Sequence, residues 1–382
     1  RIVGGTDSTG TTEPSWYATG VSIHDNTLTN CSWTATGGDR LGAITINALD
    51  GATIYNNIIN ENEAGRGVGI KFATYGWFKN VDIYNNTIST YTGDPNAFTM
   101  ELYNFHSDSK IRGNTLSGGF SLNGGITTRK PGSTWNLRIY GNVFDNSTKT
   151  STAFMEISHN WLLFDSNYLI GNSTKAGGLG IWATNYLTEN SVSHMQISNN
   201  VIYDVVSAGI SIQKAGKAYD DIKILNNVVD KVTSAYFGIG VNETDNPTVT
   251  NLIVKNNIVM NLTGGSRTWL RLSSLTTGAV CTNNMYYDTG DAINHGSGNT
   301  ISNNINANPG IVGSGARPGY YKASSASSNI VDAGTSLAGT NDRDYDSVAR
   351  PQGSAYDIGA YEYVEDVGIL GDLNSDGKVD VA

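Results

Sequence analysis

Eleven times along the chain one short alternation returns: apolar, polar, apolar, two further residues, an asparagine, one residue, then apolar again. It reads VSIHDNTLTN at 21, ATIYNNIIN at 52, VDIYNNTIS at 81, SKIRGNTLSG at 109 and LRIYGNVFDN at 137. It continues as LLFDSNYLIGN at 162, MQISNNVIYDV at 195, IKILNNVVDKV at 222, LIVKNNIVMNL at 252, VCTNNMYYD at 280 and ISNNINANPG at 301. The aligned asparagines are Asn26, Asn57, Asn86, Asn114, Asn142, Asn167, Asn200, Asn227, Asn257, Asn284 and Asn304. Period-two alternation on both sides of a fixed asparagine predicts a short strand, a bend and a second short strand. A further run with the same period, such as GVGIKF, FTMELY or FMEISHN, completes each unit.

No unit holds a credible ten-residue helix, which excludes leucine-rich and all-α repeats. Three short strands per repeat of roughly 28 residues fit one coil of an all-β, right-handed parallel β-helix of about ten coils. Coils stack ~4.8 Å apart, so a residue recurring at one position forms a ladder. Asparagine tolerates the left-handed backbone of a tight bend, and stacked amides bond one another, so the ladder reads as structural and itself as the bend. The coils span 21–306, with 1–20 an N-terminal cap or the remnant of an earlier coil, 307–364 a C-terminal cap and 365–382 a linker and tail. Cys31 and Cys281 fall nine coils apart, roughly 43 Å. A disulfide needs Cα atoms within ~7 Å, so these two do not pair.

With the aliphatic residues of the third strand turned inward, alternate residues face solvent. That outward ladder is read as Lys71, Glu101, Asn123 (or Ser121), Glu156, Trp182, Gln213, Asn242 and Arg271. Glu101 and Glu156 share a context, FTMELYNFH and FMEISHNW, each with a histidine behind it, His106 and His159. They lie two coils apart, roughly 9.6 Å between backbones, and inverting glycosidases hold their carboxyls ~6.5–9.5 Å apart. The same glutamates could instead ligate Ca²⁺ that neutralises a uronate carboxylate, with Lys71 as the base of a β-elimination. Two solvated glutamates on a polar face are the third reading. Glu101, Glu156, Lys71 and His159 are therefore the catalytic candidates. Trp182, Tyr103, Asn123, Gln213 and Arg271 are the substrate-binding ones, Trp182 as a ring to stack on a sugar face.

Charged residues make up only 15% of the 382, and the net charge is −10. That balance argues against a nucleic-acid partner. No apolar run reaches the ~18 residues of a membrane span. A signal peptide is not visible, and Arg1 need not be the native start. The opening RIVGG matches the activated N-terminus of trypsin-like proteases by chance, since no Gly-Asp-Ser-Gly-Gly segment follows.

Two segments carry resemblances. NDRDYDSVARPQGSAYDIGAYEY resembles the closing segment of secreted bacterial β-helix proteins of the pectate-lyase-like superfamily, and with the coils the likeness spans roughly residues 20 to 363. It implies a sugar chain lying along the parallel face, and a secreted lyase or hydrolase of plant cell-wall polysaccharide, or a non-catalytic carbohydrate-binding β-helix. Arg350, Asp357 and Glu362 are read as groups that hold the cap. Neither the Trp-Ile-Asp-His segments of pectate lyases nor the Gly-His-Gly sets of polygalacturonases occur. The ending GDLNSDGKVDVA places Asp372, Asn374, Asp376, Lys378 and Asp380 at positions one, three, five, seven and nine of a calcium loop, with Gly377 at six. It resembles the opening of a type I dockerin, without position twelve. That implies Ca²⁺ in the tail, a cohesin partner and an extracellular, cellulosomal setting.

Overall fold

The computed structural model describes residues 17–34, 40–64, 67–73, 76–94, 97–124, 134–150, 153–182, 191–214 and 216–365. Successive repeats add parallel strands in sequence order, and the coils form a parallel β-solenoid with no α-helix among the described residues. One sheet runs from Leu49–Tyr55 through Phe78–Tyr84, Ser109–Arg112 and Leu137–Tyr140 to Val280–Thr282 and Thr300–Ser302. The register stays in phase throughout, so Ile54, Ile83, Ile111, Ile139, Phe164, Ile197, Ile224, Val254 and Cys281 form one inward column. Each is fully buried, and a one-residue slip would turn the column to solvent. Cys281 thus serves as a small apolar core residue. Both cysteines are free thiols, as their separation requires.

The asparagine ladder is continuous. From Asn26 to Asn284, each Nδ2 donates to Oδ1 of the next ladder residue at 2.9–3.1 Å. The same Oδ1 also accepts the backbone N–H of the preceding rung, as Asn142 Oδ1 does from Asn114. The left-handed bend, however, sits one residue earlier than expected. Asp25, Asn56, Asn85, Gly113, Gly141, Ser166, Asn199, Asn226, Asn256, Asn283 and Asn303 carry φ between 51° and 63°. The recurrent Asn-Asn pairs therefore divide two tasks. The first residue takes the positive φ that asparagine and glycine tolerate, and the second turns its amide inward.

The segment after residue 306 runs along the flank of the solenoid, across several coils, where the sequence suggested closure of a coil end. Two features of the coils account for this. The position after the ladder asparagine is Thr27, Ile58, Thr87 and Thr115 in the first coils, all exposed. From Tyr168 onward it is Val201, Val228, Ile258 and Met285, buried beneath Tyr321, Ile330, Ile358 and Tyr361. Beside that apolar stripe the left-handed asparagines offer amides: Asn226 Nδ2 donates to Asp357 O (2.9 Å), and Asn256 Nδ2 to Thr335 O (2.8 Å).

Arg350 is the central tie. It pairs with Glu362 at 2.6 Å and donates to Gly359 O (2.9 Å) and Asn199 Oδ1 (3.2 Å), with both ionic side chains withdrawn from solvent. Asp357 caps the neighbouring turn by accepting the Asp332 N–H at 2.7 Å. Removing one partner of a buried pair leaves the other charge uncompensated. Arg350→Met is accordingly expected to cost about 3–5 kcal/mol. It is expected to open residues 307–365 to limited proteolysis before the coils are cut, and unchanged protease resistance would contradict this role.

Candidate active site

The third strands of successive coils form the face that carries the candidate chemistry. Strand pairing fixes its first outward column as Thr45, Lys71, Glu101, Ser121, Glu156, Gly180, Ser211, Gly240 and Arg271. A second column on the same face, two residues later, holds Tyr103, Asn123, Ser158 and, one strand further, Trp182 beside Gln213. The sequence reading merged the two, placing Asn123 (with Ser121 as its alternative), Trp182, Gln213 and Asn242 in the first. Alternation identifies the face of a strand but not which of two same-face columns a residue occupies. Of Trp182 only the strand position is described.

Lys71 Nζ lies 3.2 Å from Glu101 Oε2, both side chains mostly buried. Tyr103 donates its hydroxyl to Glu101 Oε1 at 2.8 Å. One coil on, Ser121 Oγ donates to Glu156 Oε2 at 3.4 Å and accepts from Asn123 Nδ2 at 2.9 Å. Burial pushes the Glu156 carboxyl up to about 6, with the Ser121 hydrogen bond and the Lys214 charge opposing and the Glu101 charge reinforcing. The two glutamates thus sit two coils apart in different surroundings, one beside an ammonium and a phenol, the other desolvated. Asn123 Oδ1 is a buried acceptor without a hydrogen-bond donor, and Glu101 Oε2 has its ion pair with Lys71 but no hydrogen bond. Gly180, next to Glu156 in the column, keeps room for Gln213, since a Cβ there would stand 2.9 Å from Gln213 Nε2.

Two candidates leave the site. His159 shares the inward parity of Met155 and Ile157 and is fully buried. Its Nδ1 donates to Asn160 O at 2.7 Å, and its Nε2 accepts from the Phe105 N–H at 3.1 Å. Burial drives it down to about 4, so it is a neutral structural brace and not a proton donor to substrate. A Cβ on Gly124 would collide with its ring at 2.1 Å. Period-two counting from Met155 could have excluded it. His106, stacked on Trp77 at 3.5 Å, is likewise driven down, to about 3, by burial.

Arg271 stands four coils from Glu156, ~19 Å along the axis. It pairs with Glu243, which also binds His295, so it belongs to a separate cluster near the end of the face. The sequence reading offered Ser121 as the alternative to Asn123, and Ser121 is the column member; Lys214 as the cation acting on Glu156 was missed.

The donor set does not suit a calcium ion on this face. Ca²⁺ takes six to eight oxygens, whereas Glu101 already faces Lys71 and Tyr103, and Glu156 is two coils away. Among the described residues no group of three or more His, Cys, Asp or Glu side chains could hold a metal. The tail residues Asp372, Asn374, Asp376, Lys378 and Asp380, with the Ca²⁺ loop and cohesin partner expected from them, lie outside the described residues.

Comparison with known proteins adds little to this geometry. No protein-family profile and no curated protein matches the chain. Among solved structures it is similar to pectate lyase Pel9A, with 13% identity over 91% of this chain and 86% of that one and a TM-score of 0.39. It is also similar to the A-module of mannuronan C-5 epimerase AlgE6 of Azotobacter vinelandii, with 13% identity over 77% and 91% and a TM-score of 0.35. The Dettilon tailspike protein shows 15% identity over 71% and 63%, with a TM-score of 0.33. At that distance the chemistry rests on the side chains.

Proposed function

We propose that this chain is an inverting glycoside hydrolase of polysaccharide, with Glu156 as general acid and Glu101 as general base. The observation that carries this reading is the unequal pair. Two carboxyls two coils apart sit in environments that separate their tasks, the pattern by which acid and base are told apart. Glu156 is raised to about 6 by burial and holds a proton in mildly acidic solution. It gives that proton to the glycosidic oxygen as the bond to the anomeric carbon breaks. Glu101, a carboxylate beside the Lys71 ammonium, takes a proton from the water that attacks the opposite face of the ring. Their backbones stand ~9.6 Å apart on one face, and the assignment requires carboxyls ~6.5–9.5 Å apart with water between them. The paired strand positions of Trp182 and Gln213 lie where neighbouring sugar units would pass.

A β-elimination is less well served. Lys71 is engaged as the counter-ion of Glu101, the opposite of the free amine such a base requires. A purely binding face would gain nothing from an acid desolvated as Glu156 is.

Turnover is expected to fall as pH rises through about 6, because the acid loses its proton there. Reducing ends would be followed across pH on a panel of cell-wall polysaccharides, together with the absorbance of unsaturated uronates. Reducing ends without unsaturated product, and with that alkaline limb, support hydrolysis. Unsaturated product, or activity that climbs above neutral pH, would overturn it.

A further inference from the structure

Between the two glutamates one buried acceptor, Asn123 Oδ1, has neither a hydrogen bond nor an ion pair. Asn123 is 2% exposed, its Nδ2 is given to Ser121, and its Oδ1 has no hydrogen-bond donor. It stands on the coil between those of Glu101 and Glu156. Glu101 Oε2 likewise lacks a hydrogen bond. A buried acceptor left without a hydrogen-bond donor is destabilising. Asn123 Oδ1 is such an acceptor, whereas Glu101 Oε2 has the Lys71 ammonium at 3.2 Å, so a ligand that supplies a donor to Asn123 offsets its cost. Resting on the hydrolase reading above, we propose that the sugar unit bound between Glu101 and Glu156 is neutral, with a ring hydroxyl donating to Asn123 Oδ1.

The cations of the cluster support this assignment. A uronate would bring two more acceptor oxygens and a negative charge. Lys71 is already paired with Glu101 at 3.2 Å, and the Lys214 charge already acts on Glu156. The guanidinium of Arg271 is bound to Glu243, four coils away. A hydroxyl, by contrast, carries the donor that Asn123 lacks and needs no counter-ion. The chain's net charge of −10 acts in the same direction, repelling anionic polymers at long range.

Affinity electrophoresis of the Glu156→Gln protein tests this without turnover, and removing one carboxylate biases the test against the proposal. The gels would contain xylan, galactan or β-glucan on one side, and polygalacturonate or alginate on the other. Retardation by a neutral glycan and not by the polyuronates is expected. A second substitution, Asn123→Leu, is expected to weaken that retardation by about tenfold, the scale of one lost hydrogen bond, at an unchanged melting temperature. Preferential retardation by a polyuronate, or by no glycan, would overturn the proposal. So would full retardation of a folded Asn123→Leu protein. If that variant does not fold, the panel alone decides. A neutral glycan that is bound but not cleaved by the unmodified protein would sink the hydrolase reading and leave this inference standing.

Discussion

Glu156→Gln is expected to cut hydrolysis by about 10²–10⁴-fold, the usual contribution of a general acid, while making the folded protein more stable at neutral pH. The second half follows from linkage. In the unfolded chain the carboxyl titrates near its ordinary 4.5, and in the fold burial holds it at about 6. Between those values the native state binds more protons, so stability falls as pH rises through the window and stays reduced above it. The reduction reaches about 2 kcal/mol above pH 6. Glutamine carries no charge and escapes it. The variant's denaturation midpoint is therefore expected to exceed the wild type's at pH 7 and to approach it below pH 4.5. A variant that is inactive and also less stable at pH 7 would mean that Glu156 is a structural group.

The second large effect belongs to the ladder. Asn142 is fully buried; its Nδ2 lies within reach of Asn167 Oδ1 (2.9 Å), Ile111 O (2.9 Å) and Tyr140 O (3.1 Å), and its Oδ1 accepts twice from Asn114. Asn142→Asp keeps the shape and the acceptor but removes the donor. It sets a buried carboxylate oxygen against Asn167 Oδ1 and Ile111 O. With two or more groups unsatisfied at ~1–3 kcal/mol each, the cost is about 3–5 kcal/mol. That is enough to lower the melting temperature by several degrees or to prevent folding. Asn85→Asp is the control, because Asn85 is an exposed bend residue and aspartate also tolerates a positive φ. Chemical denaturation of the two variants is expected to separate them widely, and equal midpoints would contradict a structural ladder.

The solenoid and its asparagine ladder were legible because both repeat. A register that recurs coil after coil, from Ile54 to Cys281, writes itself into the sequence as a period. The division of labour within Asn-Asn was not legible, since both residues satisfy a bend signal and only backbone geometry tells which one takes the positive φ. The flank packing of residues 307–365 was missed because its cue is a slow change of one outward position, from Thr27, Thr87 and Thr115 to Val201, Val228 and Ile258. At the site, alternation found Lys71, Glu101 and Glu156, whose outward direction depends only on parity. It assigned Gln213 to the wrong column and left Asn123 and Ser121 as alternatives, because register between strands depends on turns whose lengths vary. His159 was misjudged for a simpler reason: its polar neighbours outweighed its inward parity.

The central claim is that Glu101 and Glu156 work on opposite faces of one sugar ring. Proton NMR of the first product released from a cleaved glycan tests it most directly, before the free sugar mutarotates. An anomeric configuration opposite to that of the substrate linkage is the expected result. Retained configuration, or a product bearing a double bond, would contradict the assignment of these two residues.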